Sequence, residues 1–209
     1  MRSIFSFLLV LVVLVFSSSC QKDKQDANFK LPKNEEINAI IKTLINSDSV
    51  EIARYLGNNE KISFCEDLQK LKIDHVEKGK LPKSAEEDSE LIELLIGSPD
   101  IPEEKFLFSK SDSLYIQFQN KNFNTFKLSQ NDFNEVVIRS IEEIKKDWKK
   151  EKYFSYYHAT IPIISADGKK AYVKYTLNCS GLCGAGYRVF FEKIKGKWIV
   201  VKYHQEWVS

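Results

Sequence analysis

Residues 156–207, YYHATIPIISADGKKAYVKYTLNCSGLCGAGYRVFFEKIKGKWIVVKYHQEW, alternate apolar and polar side chains in four runs: 156–165, 170–179, 186–195 and 197–207. A period of two is that of a strand. Asp167-Gly168 and Lys195-Gly196 fall between runs, where hairpin turns need residues that tolerate positive φ. Pro162 has no N–H to give to a ladder, which places its strand at a sheet edge. All three Trp and seven of the nine Tyr lie between Trp148 and Trp207. That density suits an aromatic-faced, twisted antiparallel sheet.

Working outward, Asn34 is positioned to cap a helix through Ile45, with Ile37, Ile40, Ile41, Leu44 and Ile45 on one stripe. Residues 50–56 read as a second short helix closed by Gly57-Asn58-Asn59, and residues 61–83 have no clear period. Ser84-Ala85-Glu86-Glu87 is a capping box whose helix carries Leu91, Ile92, Leu94 and Leu95 and stops at Gly97-Ser98-Pro99. Phe106 and Phe108, then Leu114, Ile116 and Phe118, then Phe126 and Leu128 share parities between polar breaks, which predicts a three-strand meander. Ser129 then caps a long helix to about Lys150, with Phe133, Val137, Ile141, Ile144 and Trp148 on one face. The expected fold class is α+β: N-terminal helices, then a long helix packed on a curved antiparallel sheet. That order of elements looks like cystatin-like or NTF2-like folds, which host many unrelated functions.

The N-terminus sets the compartment. Arg2 precedes Ile4–Phe16, an apolar run broken only by Ser6, and Ser17-Ser18-Ser19-Cys20 follows. This is the order of a secretory signal, and the run is shorter than the roughly 20 apolar residues that cross a bilayer. Small residues before a cysteine resemble the processing site of bacterial lipoproteins, with Ser17 departing from the aliphatic residue preferred there. The resemblance implies removal of residues 1–19 and lipidation of Cys20. Each buried methylene adds about 0.8 kcal/mol of membrane affinity, so the several acyl chains typical of such cysteines would anchor permanently. An ordinary cleaved signal, leaving Cys20 as a spare thiol, is the alternative. Gln21–Lys33 is polar and reads as a tether reaching about 40 Å when extended, and residues 34–209 read as a single α+β domain. The expected location is the envelope of a bacterium, lipid-anchored, on the periplasmic or surface side of the outer membrane, with which Gln21 is compatible.

Of 31 Lys and Arg, only Arg2 lies in residues 1–19, so the processed chain carries 30 basic and 29 acidic residues, a net +1. No basic stripe argues for nucleic acid. Lys145–Lys150 is a lysine-rich stretch interrupted by Asp147 and Trp148, as expected of a solvated helix face.

Cys179-Ser180-Gly181-Leu182-Cys183-Gly184-Ala185-Gly186 is the most distinctive local feature, holding three of the eight glycines. Glycine gathers where the backbone takes positive φ or another group comes close. In an exported chain a Cys179–Cys183 disulfide is the first interpretation, contributing about 2 kcal/mol by closing a short loop. Reduced structural cysteines, a metal site completed by His158, His204 or Cys65, a redox pair and a cysteine nucleophile are the alternatives. The glycines do not form a phosphate loop, because no Lys-Ser/Thr follows. Cys65 reads as a small buried hydrophobe, or as a partner for a loop cysteine. Acidic pairs such as Glu35-Glu36 and Glu86-Glu87 sit at helix starts, where they offset the macrodipole.

The ending Ser165…Asp167-Gly168…Ala171-Tyr172-Val173…Cys179-Ser180-Gly181-Leu182-Cys183-Gly184-Ala185-Gly186…Gly196-Lys197-Trp198…Trp207-Val208-Ser209 resembles that of a group of bacterial lipoproteins and secreted proteins with no agreed activity. The expected function is accordingly a membrane-tethered, non-catalytic binding or accessory protein of the cell envelope. Its partners would be membrane lipid, through the acylated N-terminus, and an envelope protein or small ligand, with Tyr157, Tyr175, Tyr187 and Tyr203 as contacts. The alternatives are an inhibitor or immunity-type lipoprotein against a toxin or hydrolase, and a thiol-dependent enzyme using Cys183 or Cys179 with His158 or His204. No cofactor, metal or catalytic residue is assigned.

Overall fold

The computed structural model describes residues 29–47, 63–73, 94–95, 108–109, 111–149, 154–179 and 183–209. The chain divides into Met1–Lys30 and Leu31–Ser209. Cys20, the helix expected at 50–56, the capping box at 84–87, His75 and Phe106 lie outside the described residues.

Helix α1 runs Asn34–Asn46 and buries Ile37, Ile40, Ile41, Leu44 and Ile45, the stripe expected from their spacing. At about 2 kcal/mol for each buried side chain, this face anchors the helix. Asn34 is its first helical residue; extended Lys33 occupies the cap position, and no side chain bonds there. Glu35 and Glu36 in the first turn face the positive end of the helix dipole.

The strands and remaining helices are β1 Ser63–Cys65, β2 Asp67–Leu68, α2 Asp112–Asn122, β3 Phe126–Lys127, β4 Val137–Arg139, α3 Ile141–Trp148, β5 Ser155–Ala159, β6 Ile163–Ile164, β7 Lys170–Cys179, β8 Ala185–Ile194 and β9 Lys197–Val208. The main sheet has seven strands in the order β4-β1-β5-β7-β8-β9, with β6 also pairing β7, while β2 and β3 form a separate pair. β1 runs parallel to β4 and β5; the other pairings in the sheet are antiparallel. The fold is therefore α+β with a mixed, mostly antiparallel sheet.

The four alternating runs became β5 with β6, β7, β8 and β9. Lys195 and Gly196 both take positive φ, 50° and 80°, the twist-matched turn that joins β8 to β9. Pro162 falls between β5 and β6. β6 pairs with β7 alone and is an edge segment, as proline requires, whereas β5 lies inside the sheet.

Two expectations are corrected. Residues 112–122 form helix α2, not a strand of a meander. Its buried positions are Asp112, Tyr115, Ile116, Gln119 and Asn120, a helical spacing in which three of five are polar, while Leu114 is exposed. Among the described residues of the expected meander, only the two-residue β3 is a strand. Residues 129–150 are also not one long helix. A 3₁₀ turn at Gln130–Asp132 leads to β4, and α3 starts only at Ile141. Ser140 and Glu143 form a reciprocal capping box, and β-branched Val136, Val137 and Ile138 just before it favour an extended chain. The five residues expected on one face are split. Phe133 enters the core beneath α1, Ile144 packs with Cys65 and Phe154, and Val137 and Trp148 are exposed.

The sheet is buried on both sides. Ala171, Val173, Tyr175, Val189 and Phe191 meet α1 in the main core. Tyr172 and Phe190 point the other way, joining Ile116 of α2, Leu71 and Leu94.

Candidate functional site

Cys179 ends β7 and Cys183 precedes β8, and the two stand at disulfide distance with Cα atoms 5.8 Å apart. The glycines beside them receive the end of the chain. Gly186 is opposite Trp207 in the β8–β9 ladder, and the indole lies where a Cβ of residue 186 would be. Gly184 N–H donates to Ser209 Oγ at 3.1 Å, and Ser209 N–H to the Gly184 carbonyl at 2.8 Å. The C-terminal Trp207-Val208-Ser209 and the glycine loop, far apart in sequence, thus form one clasp.

Of the four candidate tyrosines, three come together. Tyr175 stacks on Tyr187 with ring centroids 4.7 Å apart and stands 6.1 Å from Tyr157. Tyr157 and Tyr175 are buried in the core beneath α1, against which Tyr187 packs partly buried. Only Tyr203, on β9, is broadly exposed. The ladder is a packing feature across β5, β7 and β8.

On the opposite face of these strands, Tyr172 and Phe190 enter the second core, and polar residues lie beyond them. His158 on β5 pairs in register with Thr176 on β7, and Thr160 lies beside Lys174, whose N–H bonds to the Thr160 hydroxyl at 3.0 Å. These four, with residues 69–72, Ala159 and Tyr175, line a cleft of about 210 Å³. The segment is held against the sheet by backbone bonds from Gln69 N–H to Ala159 O and from Ile161 N–H to Gln69 O. Leu71 is buried while Lys70 and Lys72 stay exposed. His158 Nε2 lies 3.0 Å from the Asp67 carbonyl, an acceptor, so Nε2 carries the proton. Burial holds the imidazole below its ordinary pKa, against the opposing effect of that carbonyl.

Beside the cleft, Glu206 binds Lys174 at 2.8 Å and Arg188 at 2.6 Å. Burial alone would raise the Glu206 pKa; the two cations outweigh it and hold the carboxyl below its usual range. Sequence reasoning missed this cluster, because Lys174, Arg188 and Glu206 come from three strands and meet only through register. Alternating polar residues on β7 were the available sign.

His204, on β9, pairs with Arg188 on β8. It is three strands from His158, about 14 Å at ordinary strand spacing, so the two histidines do not converge. Cys65 is a free thiol buried with Ile144 and Phe154, and burial pushes its thiol pKa up. Among the described residues no three His, Cys, Asp or Glu come together in a group able to hold a metal ion, and no helix is long and apolar enough to cross a membrane. Comparison with protein-family models, curated proteins and solved structures finds no match for this chain.

Proposed function

We propose that this protein is a lipid-anchored, non-catalytic binding or accessory protein of a bacterial cell envelope, tethered through Cys20. Two observations support it together. The leader order Arg2, Ile4–Phe16, Ser17–Cys20 is that of an exported lipoprotein. The only cysteines of the described residues that stand at disulfide distance, Cys179 and Cys183, suit an oxidising compartment. A helix against an antiparallel sheet supports the cystatin-like or NTF2-like arrangement as the finer fold. The binding surface of this reading is the cleft that His158, Thr160, Lys174 and Thr176 line together with Tyr175; Tyr157 of the tyrosine ladder is enclosed in the core.

A second reading, an inhibitor or immunity-type lipoprotein, draws on β9. It ends the strand order of the sheet and exposes Ile199, Tyr203 and Trp207, as a strand that meets a protein partner would. A tight partner recovered from envelope extract and lost on Tyr203→Lys favours it.

Intact mass of the natural protein tests the anchor. The expected species begins at Cys20, carries acyl chains and gains two hydrogens on reduction. Cys20→Ala should move the protein from the membrane pellet to the soluble fraction. A natural polypeptide with its leader attached, or found in the cytosol, overturns the reading.

A further inference from the structure

A groove of about 800 Å³ runs between α1 and the start of β9, within the size of ordinary ligand sites. Its helix wall carries Ala39, Lys42 and Thr43, which flank the buried stripe, and its other wall is residues 196–200. The Thr43 hydroxyl donates to the Ala39 carbonyl at 2.9 Å, so the polar atom of that wall is already bonded. On β9, Val200 packs partly buried against the main core, while Ile199 pairs with Glu192 and is exposed. Neighbouring residues of a strand turn to opposite faces. A groove bordered by both therefore follows the edge of the strand.

β9 is the last strand in the sheet order, and among the described residues no strand pairs with its outer edge. Such an edge offers backbone donors and acceptors that an extended segment can satisfy. Residues 196–200 span about 13 Å at roughly 3.3 Å per residue, room for about four residues of an added strand. Its alternate side chains would meet α1 and Val200 on one face and Ile199 on the other. Lys42 and Lys197 place a cation on each wall, and no acidic side chain lines the groove. Glu135 feels the charge of Lys42. It stands outside the lining, however, and already accepts from Asn46 Nδ2 at 3.4 Å and from Asn134 N–H at 3.0 Å. Cations on facing walls attract the opposite sign and repel basic segments.

We propose that this groove receives an extended, acidic segment of a partner protein, which adds as a strand beside β9 with its carboxylates at Lys42 and Lys197. The inference rests on the second reading above, in which β9 meets a protein, and it supplies the chemistry of that partner. It does not depend on Cys20, so failure of the anchor and failure of the groove are read separately.

The test is fluorescence anisotropy of a dye-labelled, end-blocked peptide of alternating Glu and Val, titrated with the full chain in non-ionic detergent. Saturable binding is expected, and a peptide of alternating Lys and Val should bind about ten-fold more weakly or worse. Lys42→Glu with Lys197→Glu should weaken the acidic peptide by about ten-fold or more. The control pair Lys145→Glu, Lys146→Glu, on the exposed face of α3, should stay close to wild type. Circular dichroism should be unchanged in both pairs. Strand addition has its own signature, because the N–H groups of alternate residues face one edge. N-methylating the valines and N-methylating the glutamates should therefore differ, one abolishing binding and the other sparing it. Absence of saturable binding, equal binding of the basic peptide, equal loss in the α3 control or equal effects of the two methylation patterns overturns the proposal. An envelope partner lost on Tyr203→Lys, with no binding of the acidic peptide, removes the groove and leaves the second reading standing.

Discussion

The indole of Trp207 occupies the space a β-carbon on Gly186 would take, with Cε2 and Cδ1 only 2.6 and 2.8 Å from that position. The two residues face each other in the β8–β9 ladder. Only glycine lets the ring lie flat across the strand there. Gly186→Ala should force the ring off and cost about 1–3 kcal/mol, in the range of other over-packed sites. In a Trp207→Ala background the same change should cost little, because the colliding ring is gone. Urea denaturation of the four-member cycle measures the coupling; additive costs would contradict the contact.

A second relationship ties the first helix to the last hairpin. Glu36 Oε1 accepts from Trp198 Nε1 and from Lys193 Nζ, each at 2.7 Å. Trp198 is buried, so Glu36→Ala strands its indole N–H and should cost about 1–3 kcal/mol. Glu36→Gln keeps an acceptor and should cost less. Equal urea midpoints for the two variants would count against the indole bond.

Gln119 is fully enclosed and binds both backbone groups of Ile164, its Nε2 donating to the carbonyl at 2.6 Å and its Oε1 accepting from the N–H at 3.2 Å. It completes the free edge of β6 as a further strand would. Gln119→Leu should leave both groups unpaired and cost about 2–4 kcal/mol. Gln119→Glu, which buries a carboxylate and loses the donor, should cost at least as much. Thermal unfolding distinguishes these from a tolerated surface change.

His158 predicts a pH dependence. Burial lowers its folded pKa, so the unfolded chain binds more protons as pH falls. Stability from this group is full above the unfolded value of about 6.5 and is lost as pH falls through the folded pKa. His158→Gln should flatten the decline in urea midpoint between about pH 7 and about pH 5. An unchanged slope would show that another group governs it.

Much of the C-terminal half was legible because its signals are local. Alternation along 170–179 and 197–207 sets which side chains share a face, and Lys195-Gly196 sets the turn. The α1 stripe was equally plain, since five aliphatic residues at helical spacing admit one buried face. Residues 112–122 and 129–150 were misread where polar side chains serve the interior. Gln119 and Asp112 are buried because backbone groups of Ile164, Ala166 and Ser109 need them, a requirement that hydrophobic periodicity does not record. Likewise Ser129 reads as the helix start, whereas the chain pairs as β4 with β1 before α3 begins at the Ser140–Glu143 capping box.

Along the chain itself, residue order determined the buried stripe of α1, the strands of the C-terminal sheet and the nearness of Cys179 to Cys183. Each depends on neighbours a few positions apart. Tertiary structure alone decided that Trp207 closes over Gly186, that Tyr157 and Tyr175 are core while Tyr203 is exposed, and that Lys70, Lys72 and Lys174 line one cleft. Those outcomes depend on which strands lie side by side and in what register, and backbone hydrogen bonding between distant segments sets both.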